Sequence, residues 1–184
     1  MRAALVAVVL LAVGGAVCAA DLQSGPQVGS TVPGPFEPLN LNGPDAGDEC
    51  CLYCKFGNIP VAMVFAPKPS DGLAKLVREL EAATAASKAG EVGACVVVTD
   101  TSPATRKALG KLADDANLKH VILAVIDPAR LKDYELNPDA AATVLLYSRR
   151  VVRVNHAFRP GELTDRAVKA VAADVKAHFA GSDK

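Results

Sequence analysis

Short unbroken apolar runs alternate in this chain with longer segments whose apolar residues recur every three or four positions. Residues 61–66, 92–99 and 121–126 are unbroken runs and predict strands buried on both faces. Between the first two, Leu73, Leu76, Val77, Leu80 and Thr84 fall at helical spacing, and Ser70 stands where an N-cap belongs, predicting a helix to about residue 87. Ser102-Pro103 offers a second N-cap with proline in the first turn, followed by the stripe Leu109, Leu112, Ala113 and Ala116. Asp127-Pro128 stops the third run, and residues 129–139 read as an irregular stretch with a helical turn. Residues 142–147 and 151–154 are separated only by Ser148-Arg149-Arg150, which predicts a hairpin with 151–154 outermost. Leu163, Ala167, Val168, Val171, Val175 and Phe179 mark one face of a last helix over 163–179. Strand-helix-strand-helix-strand, then hairpin and helix, is an α/β order, with a central mixed sheet flanked by helices.

The N-terminal third breaks this rhythm. Arg2, the apolar stretch 3–13 and the small residues Cys18-Ala19-Ala20 have the layout of a secretory signal over residues 1–20, cleaved near Ala20. The apolar stretch is short for a membrane span. Val17, before Cys18, departs from the small residue that a lipidation site places there. Residues 21–35, rich in Gly, Pro, Ser and Gln, predict a flexible, poorly ordered arm. Residues 36–41 alternate and carry Pro38, which suits a short edge strand, and 42–60 read as a long loop. The expected organisation is therefore a signal (1–20), an arm (21–35) and a single domain (36–184) that carries the loop.

Charge narrows the partners. Lys+Arg and Asp+Glu both number 20, and removing the signal takes away one base and no acid. No dense basic block stands out, so a nucleic-acid surface is not expected, nor a membrane-bound mature protein. The remaining roughly 164 residues suffice for one domain with a sizeable core.

The candidate chemistry lies in the loop, at Cys50, Cys51, Cys54 and the adjoining Lys55. An exported compartment permits disulfides, and a Cys-X-X-Cys pair can exchange thiols, bind metal or close a small disulfide. For exchange, Cys51 is the expected attacking thiol and Cys54 its partner. Cys50 would be a resolving thiol, and Lys55 would favour the thiolate. For zinc, three sulfurs fall short of four ligands, no second Cys-X-X-Cys or paired histidine exists, and His156 would complete a set only if the loop folded across the sheet. For covalent haem, Cys-X-X-Cys followed by Lys55 would be a rare variant of Cys-X-X-Cys-His, and the surrounding α/β pattern argues against a cytochrome. The remaining alternative is a disulfide that pins the loop. Cys95, inside the second apolar run, reads as an inert core residue. His156 is a candidate acid-base group or a hydrogen-bonded strand-end residue. No cofactor is called for, and a protein thiol or disulfide is the expected class of partner.

The order of elements resembles the thioredoxin superfold, with the third strand and the Tyr134-containing turn closer to its peroxiredoxin and TlpA-like branch. The string from Cys51 to Val61, with Val154-Asn155-His156-Ala157-Phe158, also resembles exported thioredoxin-like proteins of planctomycete-type bacteria. The resemblance to thioredoxins implies a redox pair just after the central strand. Here those positions are Pro67-Lys68-Pro69-Ser70-Asp71-Gly72-Leu73 and hold no cysteine. It also implies a cis-proline before the first hairpin strand, where Ala141-Ala142 stand. The usual site is thus degenerate. The cysteine loop is expected at the opposite end of the central strand, and His156, placed after the outer strand, near the degenerate site. Two functions stay open: thiol-disulfide exchange through a displaced Cys51-Cys54 pair, and a non-catalytic binding or structural domain.

Overall fold

A computed structural model describes residues 22–87 and 91–181. The segment read as a signal lies outside these residues. Among them, no helix is long and apolar enough to cross a membrane.

Six strands form one mixed sheet: β1 (Leu39–Asn40), β2 (Val61–Ala66), β3 (Gly93–Val98), β4 (Val121–Val125), β5 (Ala142–Ser148) and β6 (Val151–Phe158), in the order β1-β4-β3-β2-β5-β6. β2, β3 and β4 are parallel, whereas β1, β5 and β6 pair antiparallel to their neighbours. Each residue of β2, β3 and β4 is buried, as expected of strands covered on both faces.

The two crossovers from β2 to β3 and from β3 to β4 run in the same direction across the sheet, so both helices lie on one face. These are α2 (Asp71–Ala85) and α3 (Pro103–Asp115). α4 (Asp165–Ala180) joins them, and Leu73, Leu76, Val77, Leu80, Leu109, Val171, Val175 and Phe179 share one core with the inner residues of the sheet. Ser70 and Ser102 cap α2 and α3 as the sequence predicts, through hydrogen bonds from the Leu73 and Thr105 N–H groups.

The other face is covered by unlike pieces. α1 (Leu52–Phe56), a 3₁₀ segment (Pro128–Tyr134), and Val32 and Phe36 from the N-terminal arm pack on Met63, Phe65, Cys95, Val97, Leu145 and Tyr147. The rings of Phe36, Phe65 and Tyr134 meet with centroids 5.1–5.9 Å apart.

Several expectations are corrected here. The arm is extended but docked: Thr31 bridges to Val151, the Ser24 hydroxyl bonds that of Thr143 at 2.6 Å, and Val32 is buried. Its polar composition hid this, because the contacts are backbone pairing with β6 and two small buried side chains. The loop 42–60 contains α1. Of the predicted edge strand, Leu39–Asn40 forms β1 against β4, and the Leu41 N–H adds one bond to the Leu123 carbonyl at 2.8 Å. β6 continues to Phe158, so His156 lies inside the strand instead of after it.

Candidate functional site

α1 is too short to hold its shape alone. Three things fix it. Leu52 and Phe56, four positions apart, point inward and are buried in the core of this face. Each such burial contributes roughly 1.5–3 kcal/mol. Gly93, at the start of β3, leaves the space that Phe56 fills: a Cβ there would stand 2.4 Å from the Phe56 ring. Finally, Cys51 caps the helix, and its Sγ accepts the Cys54 N–H at 3.1 Å.

Cys51 and Cys54 are joined by a disulfide with Cα atoms 5.2 Å apart. Cys51 is half-buried and Cys54 exposed. Cys50 is a free, half-buried thiol whose backbone N–H donates to the Pro38 carbonyl at 3.2 Å. Lys55 forms an ion pair with Asp45, which neutralises the cation beside the pair. Tyr53, between the two cysteines, carries the Arg150 guanidinium over its ring, 4.6 Å from the centroid. Cys95 is fully buried, and burial pushes its thiol far above the ordinary range, so it takes no part in this chemistry.

The structure therefore gathers Cys50, Cys51, Cys54 and Lys55 but not His156. The His156 ring shares a 2.8 Å hydrogen bond with Asp174 of α4 and stacks near Phe158. It pairs across β5 with Val144, on the face of the three long helices, whereas the cysteines lie on the other face. Among the described residues, no cluster of three or more His, Cys, Asp or Glu is placed to hold a metal ion, and two of the three sulfurs are consumed by the disulfide. Asp45, Arg150 and Gly93 were missed by sequence reasoning. The available signal was the short hairpin connection Ser148-Arg149-Arg150, which places the arginines at a tip but says nothing of what lies beneath it.

At the C-terminal end of β2 the usual site is laid out without its chemistry. Ser70 caps α2, where a reactive cysteine would be expected, and no peptide bond among the described residues is cis. Beside it opens an apolar cavity of about 330 Å³, lined by Phe65, Ala66, Pro67, Leu131, Ala140 and Thr143 among others. No cysteine or histidine lines it.

No family model matches the chain, and no curated protein matches it. Solved structures do. A candidate thiol:disulfide interchange protein DsbE from Chlorobium tepidum superposes with a TM-score of 0.58 at 16% identity, over 86% of this chain and 99% of that one. A secreted disulfide oxidoreductase of Mycobacterium tuberculosis, homologous to Escherichia coli DsbE, gives 0.57 at 12% identity, over 79% and 94%. A peroxiredoxin-like protein of Aquifex aeolicus gives 0.55 at 12% identity, over 84% and 88%. At these identities the likeness establishes the fold, which is thioredoxin-like, with thiol-disulfide oxidoreductases among its structural neighbours.

Proposed function

We propose that this is an exported single-domain thiol-disulfide exchange protein working through Cys51 and Cys54. The observation that carries the reading is the surface disulfide of a Cys-X-X-Cys pair at a helix start, one sulfur exposed and the other accepting a backbone N–H. The neighbours that act on thiols support it, as does the layout of residues 1–20 for export.

The difference in exposure divides the roles. A thiolate of a partner dithiol attacks Sγ of the exposed Cys54. A bond forms between partner sulfur and Cys54, the Cys51–Cys54 bond breaks, and its electron pair leaves on Cys51. The Cys54 N–H already points at that sulfur and stabilises the charge. The partner's second thiolate then attacks its own sulfur in the mixed disulfide and releases Cys54 as a thiolate. The partner ends oxidised by two electrons and the protein reduced by two, with both cysteines free. This assigns Cys54 to the partner and Cys51 to the leaving group, the reverse of the order expected from sequence.

The second reading, a structural staple in a non-catalytic domain, is favoured by the degenerate site and by the place of the Cys51 sulfur at the cap of α1, where it already takes part in holding the helix. A thiol-trapping redox titration of the protein, read by mass spectrometry over residues 50–55, separates the two. A midpoint near about −200 mV is expected for exchange, and one below roughly −300 mV would establish the staple.

A further inference from the structure

The β5–β6 hairpin closes with a two-residue loop, Arg149-Arg150, and both residues have positive φ, 51° and 63°. That geometry is the one for which Asn-Gly is the ordinary choice. A residue with a Cβ is strained there, because the Cβ crowds the following carbonyl. Two arginines are thus kept where smaller residues would be more stable, and strain of this kind gathers at functional positions.

The tip is held against the cysteine helix. The Arg149 N–H donates to the Asn58 carbonyl at 3.0 Å, just beyond α1, and the Val32 N–H donates to the Arg150 carbonyl at 2.8 Å. Arg150 lies over Tyr53, the residue immediately before Cys54. Both arginines are exposed, as is Cys54. Among the described residues, neither guanidinium has a carboxylate within ion-pair distance, whereas Lys55 is matched by Asp45. The chain as a whole is electrically balanced, so these two adjacent cations are not one part of a generally basic surface.

We infer that Arg149 and Arg150 form a docking surface for an acidic segment flanking the cysteine of the partner protein. The chemistry after docking rests on the exchange reading, whereas the docking itself does not. A guanidinium stacked on an aromatic ring keeps its N–H edges outward, in the fork that matches a carboxylate. Fixed cations beside the reacting sulfur raise the encounter rate of an acidic thiol peptide and disfavour a basic one.

The test compares reduced Glu-Glu-Cys-Glu-Glu with Gln-Gln-Cys-Gln-Gln as attackers of the oxidised protein, at about 20 mM and about 0.5 M salt. The variant carries Arg149→Asn and Arg150→Gly, which removes both charges and suits the turn, so folding is not at risk. The acidic-to-neutral rate ratio cancels differences in the variant's disulfide. A fall in that ratio of about tenfold in the variant at low salt, and a similar fall for the wild type at high salt, is the expected result. An unchanged ratio overturns the inference and leaves exchange standing. The same peptides with Ser for Cys, titrated by calorimetry, give a readout without exchange. Arginine-dependent binding without any exchange upholds the surface and removes only the exchange reading. Neither binding nor exchange preference for the acidic peptide overturns the surface.

Discussion

Gly93→Ala tests whether the core governs the cysteine helix. In the wild type the Phe56 ring occupies the space a Cβ would take, with Cδ1 and Cε1 2.4 and 2.7 Å from the ideal Cβ position. Carbon atoms in contact sit about 3.5–4.0 Å apart, so the ring or the strand has to retreat by about 1 Å. β3 is paired on both sides by β2 and β4 and cannot shift cheaply. The ring therefore yields and α1 is lifted from its seat. Overpacking of this kind costs about 1–3 kcal/mol. The loss belongs to the Phe56 contact, so Phe56→Leu, which vacates part of the space, is expected to recover about half of it in the double variant. Urea denaturation of the oxidised protein measures the four corners of the cycle. The same variant loosens the helix that sets the Cys51–Cys54 spacing, and about 1 kcal/mol of that coupling would move the disulfide midpoint by roughly 20 mV. A Gly93→Ala protein with unchanged midpoint of unfolding, or a double variant whose effects simply add, would refute the packing argument.

Cys51→Ser is expected to cost about 2 kcal/mol, the loop-entropy value for so small a ring, because serine still caps α1. Cys51→Ala loses the cap as well and should cost about 1 kcal/mol more, and equal unfolding midpoints for the two would contradict the capping role. Glu81 accepts from the Lys119, His120 and Val121 N–H groups and bonds the His120 ring at 2.7 Å. Burial raises its pKa, but the His120 bond and those N–H groups outweigh it and hold the carboxyl below its ordinary value of 4.5. Its stabilisation is then full above about pH 4.5 and lost as pH falls through the lower native value. Glu81→Gln should cost about 1–3 kcal/mol at pH 7 and little in strong acid, and a gap that persisted there in pH-dependent denaturation would count against it. Burial depresses the His178 pKa below 6.5, opposed by its 3.0 Å bond to the Tyr147 carbonyl and aided by Arg153. Its contribution is present above about pH 6.5 and fades as pH falls through the lower native value, so His178→Gln should flatten the stability profile below about pH 6.5, and an identical slope would show another group at work.

What the chain order alone determines is the regular part of the molecule. β2, β3 and β4 are legible because a strand covered on both faces must be apolar at every position, and α2 and α4 because a helix covered on one face shows its period. Ser70, Ser102 and Pro103 mark helix starts because capping is local hydrogen bonding. The missing cysteines after β2 and the displaced pair before it are visible as composition. What tertiary structure decides is whatever depends on residues far apart in sequence. Five residues of α1 give no period, and its existence follows from Phe56 meeting Gly93. The arm looks disordered until Thr143 and Val151 supply partners for Ser24 and Thr31. His156 is drawn to Asp174 on the face opposite the cysteine pair, and it lies inside β6 because that strand runs longer than its apolar residues imply. Arg150 reaches Tyr53 only when the hairpin folds back on the cysteine helix. Local chemistry writes the elements, whereas burial and charge between distant segments choose which of them meet.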